Sequence, residues 1–130
     1  MGDQAIGASI LVIEDNKVIA EFIQLVLEEK GFKVQTAPDG EAGLAACLNL
    51  KPDLVLCDLV LPGIDGFEVI RRAAENPETT SIPFIYISAK SDRASVREGM
   101  GLGAEDYISK PFTPAEILQA VQTRLKRRRG

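Results

Sequence analysis

Short, uninterrupted apolar runs alternate along this chain with longer segments of helical periodicity, and few folds accommodate that alternation. Ile10-Leu11-Val12-Ile13 is too short for a helix and rich in β-branched residues, so it reads as a buried strand. Leu54-Val55-Leu56-Cys57 reads the same way, as does the stretch Pro83 to Ile87. Strands apolar on both sides must be covered on both faces. Two weaker strands are predicted over 33–37 and 106–109. Helices are predicted over 17–30, 41–48, 66–74, 92–100 and 114–128. In the first of these, Val18, Phe22 and Val26 run beside Ile19, Ile23 and Leu27, giving one broad apolar face. Gly31 ends it, Asp39 is placed to cap the second helix, Asn76-Pro77 stops the third, and Pro114 suits the first turn of the last. The 92–100 segment has a poor apolar stripe and is followed by Gly101 and Gly103, which marks it as the mobile element. Strands and helices in strict alternation imply an α/β fold of the (βα)5 type: a doubly wound five-stranded parallel sheet with right-handed connections.

At 130 residues the chain is one domain by length. We expect an N-terminal extension over 1–8, the domain over 9–126, and a basic tail over 127–130. A net charge of −4 argues against a nucleic-acid grip by the domain as a whole. The basic run Lys126 to Arg129 closes a predicted helix, where it favours the helix dipole. Histidine is absent and the two cysteines, Cys47 and Cys57, lie far from any zinc-binding spacing. Cys57, inside an apolar run, reads as a small buried hydrophobe. Residues 1–9 lack the basic start and apolar stretch of a signal peptide, and no apolar run approaches the roughly 20 residues of a spanning helix. The expected setting is a reducing cytoplasm without membrane contact.

The chemistry sits where strands end. In open parallel sheets, functional groups gather beyond the carboxyl ends of the strands. The first strand runs into Glu14-Asp15 and the third into Asp58. If the two strands are neighbours, three carboxylates converge and repel, and such a cluster needs a cation or protons. Oxygen ligands without His or Cys point to Mg2+, with Mn2+ as the alternative. Any one of these acids alone reads equally well as a turn residue or helix cap, and Glu14-Asp15-Asn16 is placed to do both jobs. Ser88 ends the fourth strand and Lys110 the fifth, on the same rim. A hydroxyl and an ammonium facing a metal-bound carboxylate are the parts phosphoryl transfer needs, since its catalysis is mostly positioning and charge neutralisation.

The ordered set Ile-Leu-Val-Ile-Glu-Asp-Asn (10–16), Asp-Leu-Val-Leu-Cys-Asp-Leu-Val-Leu-Pro-Gly-Ile-Asp-Gly (53–66), Ile-Ser-Ala-Lys (87–90) and Lys-Pro-Phe (110–112) resembles the receiver domains of bacterial two-component systems. The resemblance covers about residues 9 to 126. It implies a flavodoxin-like sheet in the order 2-1-3-4-5. It implies Asp58 as phosphoacceptor, attacking a phosphohistidine or a small acyl phosphate. Asp15 is then a direct Mg2+ ligand, Glu14 acts on the metal mainly through water, and the Val60 backbone carbonyl completes the ligands. Ser88 matches the switch hydroxyl, Tyr107 the aromatic that moves with it, and Lys110 the lysine that pairs with the acyl phosphate. The Lys110–Pro111 bond is implied to be cis. Pro62, Gly63 and Gly66 are implied to shape the loop after Asp58. The implied partners are a sensor histidine kinase or a histidine phosphotransfer protein. The implied output surface, also a candidate homodimer face, comprises the fourth helix, fifth strand and fifth helix.

Two departures stand out. The acidic pair is Glu-Asp where Asp-Asp is commoner in the family. Val60 and Lys90 fall where side chains influence hydrolysis of the aspartyl phosphate, and Val60 has nothing to hold an attacking water, so a long-lived phosphoryl group is expected. Such a domain is a switch that catalyses its own phosphotransfer and slow dephosphorylation rather than an enzyme acting on others. Three other functions compete. A flavin carrier would want a Ser/Thr/Gly-rich phosphate loop where Glu14-Asp15 stands. A phosphohydrolase would want an acid in place of Val60. A receiver-like interaction module without phosphorylation would not need the full set of acids, hydroxyl and lysine.

Overall fold

A computed structural model of the chain describes residues 7–89, 97–98 and 101–129. In chain order its elements are β1 (Ser9–Ile13), α1 (Lys17–Glu28), β2 (Lys33–Ala37), α2 (Gly40–Leu50), β3 (Leu54–Asp58), α3 (Gly66–Glu75), β4 (Phe84–Ser88), β5 (Ala104–Ser109) and a last helix, here α4 (Pro114–Arg129). Of the helix expected over residues 92–100, only 97–98 fall among the described residues, and both are helical; Lys90 and the remainder of that segment lie outside them. The five strands are parallel in the order β2-β1-β3-β4-β5, a doubly wound flavodoxin-like sheet. β1 and β3 are therefore neighbours, and chain order reverses between them.

Side chains alternate across each strand, and the sheet buries two separate layers. Ile10, Val12, Leu54, Leu56, Ile85 and Ile87 face α1 and α4, where they meet Ile23, Leu27, Ile117, Val121 and Leu125. Leu11, Ile13, Val55, Cys57, Phe84 and Tyr86 face α2 and α3, with Cys47, Val69, Ile70 and Ala73. Both cysteines are buried thiols, as a small hydrophobe at 57 requires.

Short side-chain caps start the helices. Asn16 Oδ1 accepts from the Ile19 N–H at 3.1 Å, Asp39 Oδ1 from Ala42 at 2.8 Å, and Asp65 Oδ1 from Glu68 at 2.9 Å. At α4, Thr113 and Glu116 cap each other, Glu116 Oε1 accepting from the Thr113 N–H at 2.8 Å and Thr113 Oγ1 from the Glu116 N–H at 3.2 Å. The caps thus fix where each helix begins after its strand, with seven residues, 59–65, between β3 and α3.

The broad apolar face expected on α1 is narrower than its periodicity implied. Ala20, Ile23, Val26 and Leu27 are buried, whereas Val18 is 75% exposed and Phe22 is only partly covered. Both rows are covered at their last members, Val26 and Leu27, so what is left open is the first part of one row, at Val18 and Phe22. β5 begins at Ala104, earlier than the 106 expected, because its register against β4 slips by one residue between Phe84 and Ile85. Such a slip breaks the alternation that periodicity relies on. The Lys110–Pro111 peptide is cis, as the resemblance implied.

Candidate functional site

The register of the central strands assembles the site. Ile13 lies beside Cys57, so the residues that follow, Glu14 and Asp58, leave the sheet side by side. Asp58 is opposite Ile87, Ser88 is the last residue of β4, and the Lys110 N–H donates to the Ser88 carbonyl at 2.9 Å. One carboxylate oxygen from each of Glu14, Asp15 and Asp58 falls within 4.8 Å of the others. Glu14 and Asp58 are buried; Asp15 is exposed.

Lys110 is the counter-charge. Its Nζ donates to Asp58 Oδ2 at 2.7 Å and stands 3.0 Å from Glu14 Oε1. The other Asp58 oxygen, Oδ1, accepts the Val60 N–H at 2.9 Å, and Glu14 Oε2 accepts the Asn16 N–H at 3.0 Å. The contact with Glu14 is ionic without the alignment of a hydrogen bond, so Glu14 Oε1 is buried with no aligned donor. Among the described residues, one ammonium faces three carboxylates, which leaves them short of positive charge. Burial, with Asp58 nearby, pushes the Glu14 carboxyl up to about 7, against the opposing pull of the Asn16 N–H and Lys110. Burial works against the Lys110 ammonium, but the two carboxylates beside it, Asp58 and Glu14, outweigh that and raise its pKa. An under-bonded buried carboxylate oxygen beside two further carboxylates suits a hard divalent cation, which takes oxygen ligands.

A match to the response regulator receiver domain family spans residues 10–122. The chain belongs to that family. It is 41% identical over 118 residues to the DNA-binding response regulator MtrA of Mycobacterium tuberculosis, covering 91% of this chain and 50% of that protein. It is 36% identical over 122 residues to the phosphate regulon transcriptional regulatory protein PhoB of Pseudomonas aeruginosa, covering 94% of this chain and 53% of that one. The chain therefore spans about half the length of these curated relatives. Among solved structures, the receiver domain of Francisella response regulator 1452 superposes with a TM-score of 0.87 at 30% identity, covering 93% of this chain and 98% of that one. The chemotaxis response regulator CheY4 of Vibrio cholerae gives 0.86 at 26% identity, covering 92% and 98%. The chain is a receiver domain of two-component signalling.

Of the residues singled out from the receiver motifs, Glu14, Asp15, Asp58 and Lys110 converge. Val60 reaches the cluster through its backbone, its side chain 60% exposed. Ser88 is fully buried at the end of β4. Tyr107, half-buried on β5, lies opposite Tyr86 with ring centroids 5.1 Å apart.

Two features escaped the sequence reading. Tyr86, fully buried, links Tyr107 to Phe67 of α3, whose ring lies 6.3 Å from its own. Nothing in strand periodicity distinguishes it from its aliphatic neighbours. An apolar depression of about 460 Å3 adjoins the acids, lined by Val18, Ile19, Phe22, Ala89, Lys110, Pro111 and Phe112. Phe22 and Phe112 stack across it at 6.2 Å. The surplus apolar row on α1 was its signal.

The raised Glu14 carboxyl has a pH consequence. A group that binds its proton more tightly when folded contributes stability that is complete below its ordinary value of 4.5 and is lost as pH rises through about 7. In metal-free buffer the wild type is expected to lose stability relative to Glu14→Gln across that window, read from urea midpoints. Parallel pH profiles for the two proteins would contradict the burial argument.

Proposed function

We propose that this receiver domain accepts a phosphoryl group on Asp58 from the phosphohistidine of a sensor histidine kinase or histidine phosphotransfer protein. One observation carries the reading: a buried carboxylate at the end of the central strand, gripped by a lysine and ringed by two further acids. A carboxylate oxygen of Asp58 attacks phosphorus, the P–N bond to histidine breaks, and the imidazole nitrogen keeps the bonding pair and takes up a proton. Lys110 and the backbone donors of the rim neutralise charge on the peripheral phosphoryl oxygens. Glu14, Asp15, Asp58 and the Val60 carbonyl would hold Mg2+, or Mn2+, which would supply positive charge to offset that of the carboxylates and the phosphoryl oxygens. Ser88 and Tyr107 form the switch that senses the product, and the output is read on the face around β5 and α4, which also serves as the homodimer candidate.

This makes the domain a self-modifying switch rather than an enzyme with a turnover substrate, working in the cytoplasm. Among the described residues no helix is long and apolar enough to cross a membrane. DNA binding belongs, by its name, to MtrA, a protein about twice the length matched here. With a net charge of −4, this domain is assigned no nucleic-acid contact of its own.

Incubation with acetyl phosphate and Mg2+ is expected to give a single phosphoryl adduct by intact-mass spectrometry, absent with Asp58→Asn and absent without the metal. Folded wild-type protein that takes no adduct from this or a stronger small donor would sink the proposal.

The exposed Val60 side chain offers no group to orient a water at the acyl phosphate. The adduct is expected to persist for many minutes at room temperature in a mass-spectrometric decay series. A half-life of seconds would count against this.

The depression of Val18, Phe22 and Phe112 borders Lys110, so it is assigned to the donor protein, whose histidine must come into line with Asp58. Val18→Glu is expected to slow transfer from a phosphohistidine donor by about tenfold, the loss of roughly 1.4 kcal/mol of contact, while its acetyl phosphate rate stays that of the wild type. Equal slowing with both donors would remove this docking assignment.

A further inference from the structure

Gly66 opens α3 against the backbone that carries the phosphoacceptor. A methyl group on its Cα would lie 2.3 Å from the Asp58 carbonyl oxygen and 2.6 Å from the Leu59 Cα. Gly40 and Gly43 are nearly as crowded, but a methyl there meets side-chain carbons, of Ile64 and Val69 at Gly40 and of Ile13 at Gly43, which have torsions to turn. At 66 the obstacle is main chain. Gly66 is not among the glycines with positive φ, so space alone demands glycine here.

We propose that Gly66 is a positioning residue for the phosphoryl site, seating α3 directly on the Asp58–Leu59 backbone and thereby placing the Asp58 carboxylate and the Val60 main chain. Three hydrogen bonds join at that seat. The Leu59 N–H donates to Ile87 O at 3.0 Å, the Gly66 N–H to Leu59 O at 2.9 Å, and the Val60 N–H to Asp58 Oδ1 at 2.9 Å. The segment is held from β4 on one side and α3 on the other, and the carboxylate is tied to its own chain two residues on. Relieving a carbon–oxygen contact of 2.3 Å to the ordinary 3.3 Å or so moves one partner by about 1 Å. A displacement of that size is large for groups that must align with a metal and an attacking path. The consequence for phosphotransfer rests on Asp58 being the phosphoacceptor; the placement of Val60 and Asp58 does not.

The test compares wild type, Gly66→Ala and Leu125→Ala, the last losing core packing far from the acids. The Val60 amide is followed by NMR, Mg2+ affinity by titration, and the acetyl phosphate rate by mass spectrometry, all below the unfolding transition. Gly66→Ala is expected to move the Val60 amide resonance and to weaken Mg2+ binding by about 10- to 100-fold, as when the support of a metal ligand is removed. Leu125→Ala is expected to change neither. A Gly66→Ala protein with the wild-type Val60 resonance and Mg2+ affinity would overturn the proposal. Should Gly66→Ala fail to fold, Asp65→Ala and Asp65→Ser decide: both remove the same charge, but only serine keeps the cap that holds the start of α3. Asp65→Ala is expected to shift the Val60 amide and weaken Mg2+ binding relative to Asp65→Ser, and identical behaviour would overturn the proposal. A wild type that binds Mg2+ but takes no phosphoryl group would sink the functional reading and leave the Val60 comparison to decide the role of Gly66.

Discussion

Three carboxylates share the end of the central strands with Lys110, and the remainder of the domain can be understood as what holds that arrangement in place. Buried acids repel each other and resist losing water, so their cluster persists only where opposite charge and aligned donors are supplied. Lys110 supplies the charge, reaching Asp58 at 2.7 Å from beyond the edge strand β5. That reach depends on β4 lying between β3 and β5 and on the main-chain bond from Lys110 to Ser88. The supply is incomplete: Glu14 keeps a buried oxygen without an aligned donor and a carboxyl that holds its proton up to about 7. The site is built with a charge deficit that a divalent cation would meet.

Rigidity around this deficit comes from neutral parts. The sheet buries two apolar layers, and the strands that carry the acids lie at its centre, packed on both faces. Side-chain caps begin the helices close to the strand ends, so the rim has little slack. Gly66 brings α3 onto the Asp58 backbone itself. Beside the acids the surface is apolar and open, where exposed Val18 and the partly covered Phe22 and Phe112 border Lys110. A buried anionic centre with an apolar approach suits a site visited by another macromolecule better than one enclosing a small substrate.

Much of the fold was legible along the chain, because unbroken apolar runs between helical periodicities admit few arrangements. The limits of that legibility are specific. Periodicity made α1 a helix but counted Val18 and Phe22 in its apolar face alike with Val26, since a row looks uniform along the chain until packing covers only part of it. The start of β5 was misplaced where a register slip interrupts the alternation. Tyr86 looked like any other strand residue until β5 set Tyr107 beside it.

The acids, the hydroxyl and the lysine were visible as residues at strand ends, and their order along the chain matched a family that the wider comparisons bear out. Sequence by itself determined the elements and the chemical types available at the rim, because strand and helix periods and strand-end positions are local properties. Only the tertiary structure decided which of those groups meet. The adjacency of β1 and β3, the reach of Lys110 across β4, the raised proton affinity of Glu14 and the crowding at Gly66 depend on distances between residues remote in sequence, and those distances exist only once the sheet has formed.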